Sequence, residues 1–302
     1  MRRYCARHGE IFHFEVDDIS QIADALAMIS RVNPKVLVIN GGDGTVQATL
    51  TELYQGKYFG GNPPPVAALP NGRTNLIALN LGSQGDAMAT LEQIVELAKG
   101  DLDSHVIAHE LIALSDGDES ARPVLGMFLG GAGLAETMLY CREKIYPLGL
   151  PNRFSHALAA LAALCSALFR TPGKMLPKRA EPVRISLLRS GIVQGSFSLL
   201  MVTTLEKLLL GGRALPASKL GRMQFMAVDQ GPIALLKMAA SSVVSKLGQY
   251  KIGGTYVEQG DMIRIDSDHS HVILDGELFE ARANHPIFLR ATKAVPFLTL
   301  AA

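Results

Sequence analysis

Three short stretches combine residue types that can do chemistry together. The first is NGGDGT, Asn40 to Thr45. Its glycines permit positive φ and let a ligand approach the backbone. Successive exposed N–H groups, followed by the start of a helix, make a nest for an anion. Phosphate is the obvious anion. An aspartate beside phosphates has two uses, holding a metal or accepting a proton. Asp43 is therefore more informative than Gly41, Gly42 or Gly44. The plain alternative is a hairpin turn, since NG, GD and DG are turn dipeptides. A hairpin needs a strand afterwards, whereas Val46, Leu50, Leu53 and Tyr54 fall on one helical face.

The second stretch, PNGRTN, places Gly72 before Arg73, Thr74 and Asn75, all able to donate hydrogen bonds. Arg73 can grip a phosphate with two N–H groups. The third is Asp275-Gly276-Glu277. Residues two apart in a strand share a face, so both carboxylates would point the same way. The competing reading is a hairpin turn on a solvated edge. Two familiar phosphate loops do not fit the first stretch. No Lys-Ser/Thr follows its glycines, and Gln47 breaks a G-x-G-x-x-G spacing.

The elements that would position these loops follow from periodicity. IFHFEV, residues 11–16, alternates like a strand. Asp17, Asp18 or Ser20 can cap a helix carrying Ile19, Ile22, Ala23, Leu26 and Ile29, which Pro34 ends. Residues 35–40 read as a buried strand and 45–54 as a helix. Residues 66–69 read as a second buried strand, and a second helix follows PNGRTN. Repeated strand–loop–helix units imply a parallel sheet with both loops at its C-terminal edge. After Asp101 the runs become antiparallel in character, with turn signals between them. Two helical inserts, about 134–169 and 233–247, interrupt them. The expected fold class is thus α/β plus all-β.

With 302 residues, 48% of them hydrophobic, the chain can bury a sizeable core. A net charge of +1 gives no global field for nucleic acid. Cys5, Cys141 and Cys165 are too few and too odd for a disulfide framework, which points to a reducing compartment. No signal peptide or spanning apolar run is expected, so the protein reads as cytoplasmic. Asp268-His269-Ser270-His271 reads as a solvated turn rather than a metal site.

The three stretches together resemble the diacylglycerol kinase catalytic family, which includes soluble bacterial lipid kinases and sphingosine and ceramide kinases. GGDGT at Gly41–Thr45 is similar to its most specific motif. LPNGRTNLIALNLG resembles its P-x-G-T-x-N loop, and DGE at Asp275–Glu277 its late acidic motif. Gly211–Ser218 resembles a further G-rich, P-x-A stretch. The resemblance implies an α/β ATP-binding domain, residues 1–100, to which residues 286–302 return. Residues 101–285 would form a lipid-binding β-sandwich, with ATP lying between the domains and an apolar pocket between the sandwich sheets admitting an acyl chain. It implies that Asn40, Gly41, Gly42, Asp43, Gly44 and Thr45, with Gly72, Arg73, Thr74 and Asn75, bind ATP. Asp275 would be the base for a lipid hydroxyl, with Asp43 its rival. Glu277 would organise nucleotide or metal, and Asp43 and Glu277 would hold Mg²⁺. The expected reaction is transfer of the γ-phosphate to a lipid hydroxyl such as that of diacylglycerol, a step in phospholipid biosynthesis.

The sequence also departs from the family pattern. A first strand ending in NP-x-SG has no counterpart, and the sequence reads as beginning after it. Leu76 stands where aspartate is common, and Leu220 where an acidic stretch serves a structural metal. Thr204 lies near the place of an asparagine. These departures motivate a second reading, a nucleotide- or lipid-binding regulator with impaired catalysis. An NAD kinase, which shares GGDGT, is a third. Residues Pro151 to Arg179 join an apolar run to flanking Arg153, Arg170, Lys174, Lys178 and Arg179. Such a segment could lie on the inner face of an anionic membrane. The bland alternative is a buried helix or one that forms a homodimer.

Overall fold

The structure, a computed structural model, describes residues 1–72, 75–83, 85–117, 121–145, 147, 180–188, 191–205, 222–231, 233–234 and 254–300. They form two units: Met1–Leu111 with Lys293–Ala302, and Ile112–Thr292.

The first unit runs α1 (Arg2–Cys5), α2 (Ile22–Val32), β1 (Leu37–Gly41), α3 (Asp43–Gln55), β2 (Val66–Pro70), α4 (Leu76–Asn80), α5 (Ala87–Ala98) and β3 (Val106–His109), and adds β16 (Val295–Leu298). Asp18 decides the capping question before α2. Its side chain accepts from Ser20 N, and Gln21 reaches back to complete a capping box. Asn33, at a left-handed φ of 46°, ends α2 ahead of Pro34. The sheet order is β1-β2-β16-β3, with β1, β2 and β16 parallel and β3 antiparallel. On one face Ala67, Leu69 and Leu298 pack with Cys5 of α1 and with Leu91 and Ile94 of α5. Strand alternation turns Leu37 and Ile39 to the opposite face, where α3 packs on β1.

Residues 11–16 form no strand, contrary to their alternation. Phe12, Phe14 and Val16 are exposed. Among the described residues β1 pairs only with β2, so residues 11–16 leave its outer edge unpaired.

The second unit contains β4 (Ile112–Asp116), β5 (Val124–Gly126), β6 (Phe128–Gly131), α6 (Gly133–Tyr140), β7 (Val183–Leu187), β8 (Gly191–Gly195), β9 (Phe197–Thr203), β10 (Met223–Asp229), β11 (Thr255–Gly260), β12 (Met262–Asp266), β13 (His269–Leu274), β14 (Glu277–Arg282) and β15 (Ile287–Ala291). They build two six-stranded antiparallel sheets, β5-β4-β15-β12-β7-β8 and β11-β10-β9-β6-β13-β14. One core joins them, with Ile112, Ile185, Ile263 and Leu289 from the first sheet and Phe197, Val202, Phe225 and Val272 from the second. This is a sandwich, and the fold class is α/β plus all-β as expected.

The C-terminal run divides. Residues 287–291 stay in the sandwich as β15, and only residues 295–298 join the first unit's sheet. Residues 106–109 belong to the first unit because β3 pairs with β16. Among the described residues, no helix is long and apolar enough to cross a membrane. The segment 151–179, the stretch 211–218 with Leu220, and nearly all of 233–247 lie outside the described residues.

Candidate functional site

Both glycine-bearing stretches lie at the C-terminal edge of the parallel sheet. The register pairs Leu37 with Val66 and ends with Gly41 opposite Pro70, so β1 and β2 stop together. Helix α3 starts two residues earlier than the periodicity suggests, at Asp43, with Gly42 as its only link to β1. Asp43, Gly44 and Thr45 therefore form its first turn, and Val46 N to Gly42 O is its first intrahelical bond. Amides of a first turn point out of the helix end, where the macrodipole favours negative charge.

The glycines serve space here rather than positive φ. Gly42 has φ −79° and ψ 178°, open to any residue. A Cβ on Gly41 would sit 2.7 Å from Thr45 Cβ. A Cβ on Gly72 would sit 2.6 Å from the Cα of Gly42. The two loops thus touch backbone to backbone. Side chains reinforce the contact: Asn71 Nδ2 donates to Asn40 Oδ1 at 3.0 Å. Asn75, at φ 53°, folds its amide back on Gly72, accepting from its N–H and donating to its carbonyl at 3.0 Å. Asn tolerates this left-handed backbone better than most residues. Arg73 and Thr74 lie outside the described residues.

Asp43 bridges the loops. Its Oδ2 accepts from Leu76 N and its Oδ1 from Ile77 N, each at 3.3 Å. Burial pushes its carboxyl above the usual carboxylate range, and the α4 amides oppose that shift. Its contribution to folding is therefore fully present below the ordinary range and is lost as pH rises through the raised value. Sequence reasoning missed Asn71 and the two α4 amides. Asn71 sits in a visibly polar loop, but amides carry no signal in the side-chain code.

The third stretch does not follow strand alternation. Leu274 pairs with Glu277, so Asp275 and Gly276 are a two-residue turn between β13 and β14. Their φ values, 47° and 101°, match a type I′ hairpin. The turn is not solvated, however. Asp275 is only 8% exposed. Its Oδ2 accepts from Met127 N at 2.8 Å and its Oδ1 from Phe128 N at 3.0 Å, while its own N–H donates to Phe128 O. Glu277 opens β14 and is exposed. The two carboxylates part company because a turn, not a strand, separates them. Thr203 Oγ1 donates to Met127 O, and the neighbouring Thr204 hydroxyl is buried with no partner among the described residues.

In Asp268–His271, Asp268 lies in an exposed bend and His269 is exposed as well, whereas Ser270 is buried. Residues 269–271 start β13, and His271 Nδ1 lies 2.8 Å from Glu136 Oε1. Beside them is a cavity of about 200 Å³, lined by Ala132, Glu136, Ala180, Glu181, His269, Ser270 and His271. Among the described residues, buried apolar side chains of the two sheets form one core. Among the described residues, no group of three or more His, Cys, Asp or Glu is placed to hold a metal ion.

Residues 2–106 match the family model of the diacylglycerol kinase catalytic domain. The resemblance read from the motifs is met in this segment. The catalytic-domain match takes in NGGDGT and PNGRTN and ends before the Asp275 turn. Three solved structures from Bacillus anthracis str. Sterne share the fold. One, described as a diacylglycerol kinase, is 14% identical with TM-score 0.55 over 96% of this chain and 85% of that one. Two assigned provisionally as diacylglycerol kinases score 0.60 and 0.58. They are 16% and 17% identical, over 95% and 93% of this chain and 84% and 82% of theirs. No curated protein matches the chain. Residues 2–106 are thus similar to the diacylglycerol kinase catalytic domain, and the three structures show a shared fold.

Proposed function

We propose that this protein is an ATP-dependent lipid kinase, moving the γ-phosphate of ATP to a lipid hydroxyl such as that of diacylglycerol. One observation carries the reading. Two loops in contact, one opening a helix, sit on a parallel sheet edge inside the segment that matches the diacylglycerol kinase catalytic domain. The phosphates of ATP would lie against the amides of Gly42 to Thr45, with Asn40, Gly72, Arg73, Thr74 and Asn75 around them. Phosphoryl transfer asks chiefly for such positioning and for charge neutralisation.

Mg²⁺ needs few protein ligands, since ATP phosphates supply several. By resemblance the candidate carboxylates are Asp43 and Glu277. Glu277 is exposed and fits that task, whereas each Asp43 oxygen already accepts from an α4 amide. Bound there, the metal would neutralise phosphate charge. The proton of the lipid hydroxyl would pass to a carboxylate base, by resemblance that of Asp275.

Purified protein with Mg-ATP and a panel of lipid extracts tests the reading. Radiolabelled lipid is expected. No labelled lipid together with tight ATP binding would instead favour the impaired regulator. That second reading draws on Leu76, apolar and 8% exposed where the family commonly has aspartate. Contact with the membrane is proposed through residues 151–179. Reversing the charges of Lys174, Lys178 and Arg179 should weaken binding to anionic liposomes, most at low salt. Equal binding by the variant would remove the proposal.

A further inference from the structure

We infer that Asp43 is a positioning residue, locking the second loop of the phosphate site onto the first rather than ligating metal or taking a proton. The inference rests on the functional reading above. Asp43 stands where two helix N-termini converge. It is the first residue of α3, and its carboxylate caps α4 by accepting from the first two amides of that helix. The α4 end is therefore already filled by an anion built into the protein. That leaves the first-turn amides of α3 as the set that faces an incoming phosphate. The second loop contributes through Gly72 and Asn75, and Asp43 holds the start of the helix that follows them.

Two further contacts make the lock a unit. Asn71 bonds to Asn40 on one side, and the Gly42–Gly72 backbone contact lies between. A carboxylate with one α4 amide on each oxygen can neither swing out nor rotate without freeing both N–H groups of a short, buried turn. Leu76, Ile77 and Ala78 of that turn are buried.

Nucleotide binding without metal separates the three roles. Binding of ATP should be measured for wild type, Asp43→Asn and Asp43→Ala, first in EDTA and then with Mg²⁺. Amide hydrogen exchange at Leu76 and Ile77 is read in parallel. Asp43→Ala should weaken binding about tenfold or more in both conditions and speed exchange at both amides. Asp43→Asn, which keeps one acceptor oxygen, should recover part of each. Unchanged binding in EDTA with a loss only in Mg²⁺ would make Asp43 a metal ligand and overturn the inference. Unchanged binding with lost turnover would do so in favour of a base. Exchange at Met127 and Phe128, in the other unit, reports whether each variant is folded. Wild type that binds no ATP would overturn the functional reading, while the Leu76 and Ile77 exchange would still decide whether Asp43 is the lock.

Discussion

Gly72→Ala should weaken nucleotide binding more than about tenfold, whereas Gly42→Ala, at the other side of the same contact, should be tolerated. The added methyl at Gly72 would meet the Cα of Gly42 at 2.6 Å and Asn75 Oδ1 at 2.9 Å. The first obstacle is backbone and cannot rotate away. Nor can it retreat cheaply. Gly42 is the single residue between β1 and α3, and β1 is pinned to β2 through five registered pairs. Forcing such an overlap costs about 1–3 kcal/mol. Much of the effect would appear as displaced loops. The reverse substitution meets a different geometry. A Cβ at Gly42 lies 3.4 Å from Gly72 Cα, a contact that a shift of a few tenths of an ångström absorbs, and its φ and ψ suit alanine. Calorimetric ATP titration and urea denaturation of both variants check this. A weakening above about tenfold is expected for Gly72→Ala alone. Equal behaviour of the two would show that the loops do not meet as described.

That asymmetry marks the limit of what the sequence could say. NGGDGT and PNGRTN were legible as a pair, because Val and Ile runs before them and apolar periodicity after them fix strand, loop and helix. Their sharing of one sheet edge followed from the parallel arrangement. What each glycine is for was not legible. Gly42 and Gly72 have the same letter, yet only one faces a wall. Asp43 and its α4 partners are 33 and 34 residues apart, and no local pattern encodes that meeting. The same holds for residues 11–16, whose alternation is real but which join no sheet. It holds again for the C-terminal run, where β15 and β16 part to different sheets after a few residues. Periodicity reports which residues want burial. It is silent on which neighbour provides it.

Asp275 shows the same gap with the largest energetic consequence, and its replacement by alanine should be among the most damaging single changes in the second unit. As DGE it reads either as reactive acid or as turn residue. The structure gives it a third task, gripping Met127 and Phe128 across 148 and 147 residues of sequence. Alanine would leave both amides without their acceptor, and Met127 is 1% exposed. An unsatisfied buried donor costs about 1–3 kcal/mol. The backbone adds to this, since φ 47° suits aspartate or asparagine better than alanine. A total of about 3–4 kcal/mol follows, near the upper end for one substitution. Asparagine keeps the backbone and one acceptor but turns an N–H₂ toward an N–H, so Asp275→Asn should fall between. Glu277→Ala, two residues on and exposed, should stay within about 0.5 kcal/mol of wild type. Urea denaturation of the three variants gives the ranking directly. Should Asp275→Ala unfold within about 1 kcal/mol of wild type, the amide grip would carry no weight.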